Sequence, residues 1–125
     1  MSINFPLAQH KLSIIDTPER SYLRWLQSGI KTAEGRVNSP KYQKIKIGDT
    51  IIFIDQHQKQ YIYGTTTFKH EYPSFHAMLD AEGVTNMLPF LKPTEIQQGI
   101  DGSELVQIFG CVALGIAVEK FQLIS

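Results

Sequence analysis

Cysteine is nearly missing from this chain: Cys111 stands alone among 125 residues, which excludes an internal disulfide. It sits in an apolar run, so we read it as a buried structural thiol rather than a nucleophile. Metal-ligand spacing is missing too. The four histidines, His10, His57, His70 and His76, make no pair on one helical face and have no second cysteine beside them, so neither a metal site nor a cofactor is expected. There is no nucleophile elbow, dinucleotide fingerprint or phosphate-cradling loop; residues 29–35 contain glycines, but a P-loop lysine follows the second glycine and precedes Ser or Thr. That order disfavours the common nucleotide-binding enzymes. Long apolar runs are also absent. The longest, 108–118, is broken by glycines and is far shorter than the roughly 20 residues of a membrane helix. Residues 1–12 lack a basic leader followed by an apolar stretch, so a cytosolic protein without a membrane partner is expected.

The composition that remains is ordinary for a globular chain, with 42% hydrophobic and 19% charged residues and no repeat or low-complexity tract. Its length suits one core and is too short for two, so a single domain over 1–125 is expected. Net charge is zero but unevenly spread. From Arg20 to Lys46, seven cations (Arg20, Arg24, Lys31, Arg36, Lys41, Lys44 and Lys46) accompany one carboxylate, Glu34, so this segment carries +6 and the rest balances it. Such asymmetry fits a face tuned for an anion, nucleic acid being the commonest polyanion, and equally fits a solvated lysine-rich loop.

Periodicity gives the elements. Residues 12–15 read as a first strand, followed by a helix start in which Asp16 caps with Glu19 three residues on, or Thr17 caps with Pro18 at the first helical position. Tyr22, Leu23, Leu26 and Ile30 then share one helical face, leaving Arg24 and Gln27 outside. Trp25 lies on the shoulder of that stripe, where it either covers a core edge or stacks a base. Gly29 is placed as a left-handed cap. After a turn at 38–40 comes a basic connection over 41–46, then strands at 50–54 and 60–68. The second of these has faces Tyr61, Tyr63, Thr65, Thr67 and Ile62, Gly64, Thr66, Phe68. Ser74 or Pro73 begins a second helix that ends at Glu82 and Gly83. Proline-broken turns occupy 87–91 and 93–99, a loop 100–104, and a last strand buried on both faces 108–118, with Gly110 and Gly115 as bend points.

The chemistry concentrates between Gly29 and Arg36. Residues 31–37 alternate like a strand, placing Thr32, Glu34 and Arg36 on one face and the small Ala33 and Gly35 on the other, where another element, such as the preceding helix, can approach. A polar face opposite a small-residue face implies a cleft. Lys31, at the junction, can hold an anion or, with a depressed pKa, act as a base; a Lys–Glu or Arg–Glu pair closing one end of a barrel uses the same residues.

Four motifs carry a resemblance: residues 28–36 (SGIKTAEGR), 46–53 (KIGDTIIF), 72–75 (YPSF) and 109–116 (FGCVALGI). Together, in this order, they resemble the ASCH domain, a PUA-like family. The resemblance implies an α+β fold, a small β-barrel of about five or six mostly antiparallel strands with two or three helices around it, and a cleft beneath the Gly-x-Lys-Thr segment. It implies an RNA- or nucleotide-binding module, with Lys31, Thr32, Arg36, Lys41, Lys44 and Lys46 as contacts and Trp25 or a tyrosine as a stacking platform. Some members are similar to hydrolases acting on N4-acetylcytidine or on RNA. Carried over, that pattern places Lys31 as the catalytic lysine and Glu82 as the downstream glutamate. The family's threonine falls at Glu34, which leaves Glu34 as a general base or Lys31 as an activator of water.

Overall fold

A computed structural model describes residues 8–14, 16, 21–55, 59–89 and 102–123. In chain order these form β1 (Gln9–Ser13), α1 (Tyr22–Ser28), β2 (Ala33–Val37), α2 (Pro40–Gln43), β3 (Thr50–Asp55), β4 (Gln60–Tyr72), α3 (Phe75–Glu82), α4 (Val84–Met87), α5 (Glu104–Phe109) and β5 (Cys111–Leu123). The strands make one sheet in the order β1-β3-β4-β5-β2. β1 runs parallel to β3; every other pairing is antiparallel. The sheet curls into a half-barrel, so the α+β barrel expectation holds, with five short helices among the described residues rather than two or three. The expected turns at 93–99, and Thr17, Pro18 and Glu19 of the first helix start, lie outside the described residues.

Two cores pack on the two faces of this sheet. Leu12, Ile51, Phe53, Ile62, Val112, Leu114 and Ile116 fill the inner face together with Leu23 and Leu26 of α1 and Ile45 beyond α2. Each such side chain contributes roughly 1.5–3 kcal/mol when fully buried. On the outer face Ala33, Cys111 and Ala113 meet Met78 and Leu79 of α3, Met87 of α4 and Val106 of α5, with Phe68 and Tyr72 against them. Cys111 is fully buried there, as its apolar surroundings suggest.

Local signals explain most boundaries. Gly29, at φ 83°, ends α1 in a left-handed cap, a conformation glycine adopts without steric cost. Asp16 does serve α1, though as a distant partner: Ser21 is the N-cap but its side chain does not cap the helix, while Asp16 Oδ1 accepts the Leu23 N–H at 3.3 Å. Ser74 caps α3 by accepting from the Ala77 N–H at 3.0 Å. Gly35 admits the neighbours its size suggested, but from α3 and α4: a Cβ there would meet Met78 Cε at 2.6 Å and Met87 Cε at 2.8 Å.

Several sequence expectations need correction. The first strand starts and ends earlier, at Gln9–Ser13. The basic connection begins with the helical turn α2, where Pro40 takes the first helical position. The run 108–118 is divided: Ile108 is 62% exposed on α5, and the last strand starts only at Cys111. Ser103 caps α5 by accepting from Val106 N–H, a start that the loop reading of 100–104 passed over.

β4 holds the irregularity that matters most for the site. Its register against β5 shifts between Thr66 and Phe68. A single extra residue in one strand moves every later side chain to the opposite face. Ile62 and Thr66 therefore point inward, but Phe68, His70 and Tyr72 pair with the outward Gly115, Ala113 and Cys111. Phe68 thus leaves the face on which strict alternation put it. Lys69 and Glu71, paired with Leu114 and Val112, turn inward.

Candidate nucleic-acid interface

β2 is an edge strand, bonded only to β5 within the sheet, with Glu34 opposite Leu114 and Arg36 opposite Val112. Both charged side chains therefore occupy the inner face. Glu34 joins two cations: its Oε1 lies 3.4 Å from Lys31 Nζ and its Oε2 3.2 Å from Arg36 Nη2. Lys31 is only 1% exposed. Its ammonium donates to the Ala33 carbonyl at 2.8 Å and to the Met87 carbonyl, so Glu34 completes three acceptors for three protons. Burial lowers the Lys31 pKa, while the Glu34 carboxylate works the other way.

Arg36 extends this cluster to the surface. Burial opposes its charge, but Glu34 and the Tyr42 hydroxyl outweigh that cost and its pKa rises. Its Nη1 donates to Tyr42 Oη at 3.3 Å and its Nη2 to the Ser13 carbonyl at 3.4 Å. The last contact links the C-terminal end of β1 with β2, the two edge strands, which share no ladder. The guanidinium is a side-chain clasp on the open side of the half-barrel, and it remains 27% exposed.

Beyond this clasp the surface is basic. The Tyr42 ring has Arg36 Cζ at 5.9 Å and Lys41 Nζ at 5.7 Å from its centroid, within the range of cation–π attraction. Lys41, Lys44 and Lys46 are exposed and make no ion pair with a described carboxylate. Thr32 is exposed just before β2; its N–H donates to Asn86 O and its carbonyl accepts from Ile116 N–H, each at 2.9 Å. Trp25 is half-buried on α1, edge-on to Tyr22 with centroids 5.7 Å apart, and its carbonyl accepts the Lys31 N–H at 3.0 Å.

Glu82 is placed apart from Glu34. It ends α3 on the outer face, where its Oε2 accepts from His70 Nδ1 at 2.7 Å and from the Tyr72 hydroxyl. That bond, then burial, then the carboxylate charge push the Tyr72 pKa up to about 12. Lys31, Glu34 and Arg36 thus come together, Lys41 meets Arg36 at the Tyr42 ring, Lys44 and Lys46 follow in sequence as exposed residues, and Glu82 serves a separate His70–Tyr72 group. Sequence reasoning missed Tyr42, Ser13 and Lys69. Tyr42 carried a signal in its place between Lys41 and Lys44, whereas a backbone carbonyl such as that of Ser13 carries none.

The comparisons with known proteins fit this architecture. The hypothetical protein PH0355, known from a crystal structure, is similar at 29% identity, covering 89% of this chain and 99% of that one, with a TM-score of 0.72. PF0455 from Pyrococcus furiosus, solved by solution NMR, is similar at 26% identity, covering 92% of this chain and 99% of that one, with a TM-score of 0.64. Among curated proteins, none matches the sequence. The ASCH domain family model matches residues 19–119, spanning the β2 segment, the α2 lysines and most of the last strand, and the chain belongs to that family.

Proposed function

We propose that the protein binds RNA, or a nucleotide portion of it, on the surface formed by the open side of the half-barrel and α2. The observation that carries this reading is that Arg36 and Lys41 meet on the Tyr42 ring, with Lys44 and Lys46 exposed on the residues that directly follow the same helical turn. A polyanion that neutralises such a group releases counterions, which gives sequence-independent and salt-sensitive affinity. Arg36 is the phosphate contact nearest the opening, because Glu34 and Tyr42 hold its guanidinium in place. Thr32 offers a hydroxyl to the same ligand, and Trp25 or Tyr42 supplies an aromatic surface for a base.

In this reading Lys31 and Glu34 support Arg36 rather than touch the ligand. The hydrolytic alternative requires a lysine with a free proton site and a second carboxylate beside it. Lys31 instead has an acceptor for each proton, and Glu82 bonds to His70 and Tyr72 on the outer face. The test is titration of single-stranded and structured RNA at low salt against a neutral control protein of similar size. Binding that weakens steeply with salt supports the proposal; affinity no greater than the control's abandons it.

A further inference from the structure

The lysines of the basic surface ride on a segment that Ile45 anchors in the inner core but whose helical turn has little local reason to hold its shape. α2 has four residues and no side-chain cap at its start, and a helix that short is not stable on its own. Its last carbonyls also present partial negative charge, which would repel an anion at the place where Lys44 and Lys46 offer positive charge. One side chain answers both problems. Lys69 Nζ donates to the carbonyls of Tyr42 at 3.1 Å, Gln43 at 3.0 Å and Ile45 at 2.9 Å. All three ammonium protons are used, and they cover the carbonyls at the end of the helical turn.

The other end of the segment is held from the same strand. Glu71 Oε1 accepts from Asn38 Nδ2 at 2.8 Å, and the Asn38 carbonyl in turn accepts from Gln43 Nε2 at 2.8 Å. Lys69 and Glu71 are two residues apart and face inward together because of the irregularity between Thr66 and Phe68. Without it, both would lie on the outer face with α3 and α5.

We infer that Lys69, assisted by Glu71, is a positioning residue for the anion-binding surface: it fixes the backbone of the segment from Asn38 to Lys46 and masks its carbonyls, so that Lys41, Lys44 and Lys46 meet a phosphate chain without first being ordered. This rests on the RNA-binding reading for its effect on affinity, but its effect on the segment stands independently. Lys69 has no proton left for a phosphate, so its loss weakens binding differently from the loss of a contact lysine.

The test compares Lys69→Met with Lys44→Gln in two measurements. Amide hydrogen exchange without ligand follows Tyr42 and Gln43, whose N–H groups bond to Ser39 O, and Ile45, bonded to Tyr42 O. Lys69→Met should accelerate these amides about tenfold or more while leaving the β3–β4 ladder protected, and Lys44→Gln should leave them unchanged. Affinity for a single-stranded RNA oligonucleotide of mixed sequence is then measured across salt concentrations. Lys69→Met should weaken binding about tenfold by loss of preorganisation, with the wild-type salt slope retained. Lys44→Gln should instead reduce the slope by about 0.7, the share of one phosphate contact on a single strand. Lys69→Arg, which keeps charge and donors, should restore exchange and affinity toward wild type.

Unchanged exchange in Lys69→Met overturns the inference, and so does a lowered salt slope, which would make Lys69 a direct contact. Should Lys69→Met fail to fold, Glu71→Ala decides by the same two readouts, because it releases the start of the segment through an exposed side chain. If wild type binds no RNA, the functional proposal fails, while the exchange data still decide whether Lys69 organises the segment.

Discussion

Lys31 and Lys44 belong to one basic segment of sequence, yet the fold treats them as different materials. Lys31 is sealed beneath the open edge of the half-barrel, its ammonium divided among two carbonyls and Glu34. Lys44, with Lys41 and Lys46, stands in solvent around α2 without a described carboxylate. Arg36 connects the two regions, inward to Glu34 and outward to Tyr42. A cation buried with a complete set of acceptors serves architecture, and one left in water without a counterion remains available to a ligand. Segment charge alone does not distinguish them.

The sharpest way to break this contrast is Lys31→Ala. It leaves Glu34 in a buried site with Arg36 as its remaining cation among the described residues and takes the ammonium from the carbonyls of Ala33 and Met87. Breaking a buried pair by removing one partner costs roughly 3–5 kcal/mol, and urea unfolding should register a loss of that size. Lys44→Ala should stay within about 0.5 kcal/mol, as a surface change away from special features does. A Lys31→Ala protein of wild-type stability would end the architectural reading and return Lys31 to the list of ligand or catalytic groups.

The converse experiment removes the exposed group. Replacing Lys41, Lys44 and Lys46 together by Gln should leave urea stability nearly unchanged yet weaken single-stranded RNA binding about 100-fold at 0.1 M salt, since three phosphate contacts carry a combined salt slope of roughly 2. Retained affinity would move the interface off α2. Arg36→Lys should fall between these cases, with a stability loss of about 1–2 kcal/mol because a single nitrogen cannot occupy the two separate positions from which Nη1 bonds Tyr42 and Nη2 bonds Glu34 and Ser13. RNA affinity should fall severalfold alongside. If it changes only one of the two readouts, Arg36 belongs to one region and does not bridge them.

Much of this fold is legible in the sequence because local chemistry decides it. Gly29 stops α1 and Ser74 starts α3, each for reasons confined to a few neighbouring residues. The family motifs likewise marked the 29–36 segment before its geometry was known. What local reading misses depends on contacts distant in sequence. The burial of Lys31 needs the Met87 carbonyl delivered by α4. The inward turn of Lys69 and Glu71 needs a register shift in β4 that leaves no residue-type signature, so simple alternation assigned Phe68 to the wrong face. α5 was hidden because Ile108 continues an apolar run that in fact changes from helix to strand at Gly110. Periodicity reports burial pattern, but it does not say which of two elements buries it.

The smallest expected effect concerns the carboxylate left out of the Lys31–Glu34 cluster. Glu82 is bound on the outer face by Tyr72, whose pKa rises from an ordinary 10.0 to about 12. A raised pKa means that the native state keeps its phenolic proton after the unfolded chain has begun to lose it. The corresponding stability is therefore complete below about pH 10, declines as pH rises through that value, and is lost above the native pKa. Urea unfolding of wild type and Tyr72→Phe at about pH 9 and pH 11 isolates this contribution. Wild type should lose more stability than the variant over that interval, because only wild type has this proton to give up. If the two decline in parallel, the phenol does not hold Glu82. The carboxylate would then be held by His70, and the separation of Glu82 from the Lys31 cluster would rest on that bond and on its place at the end of α3.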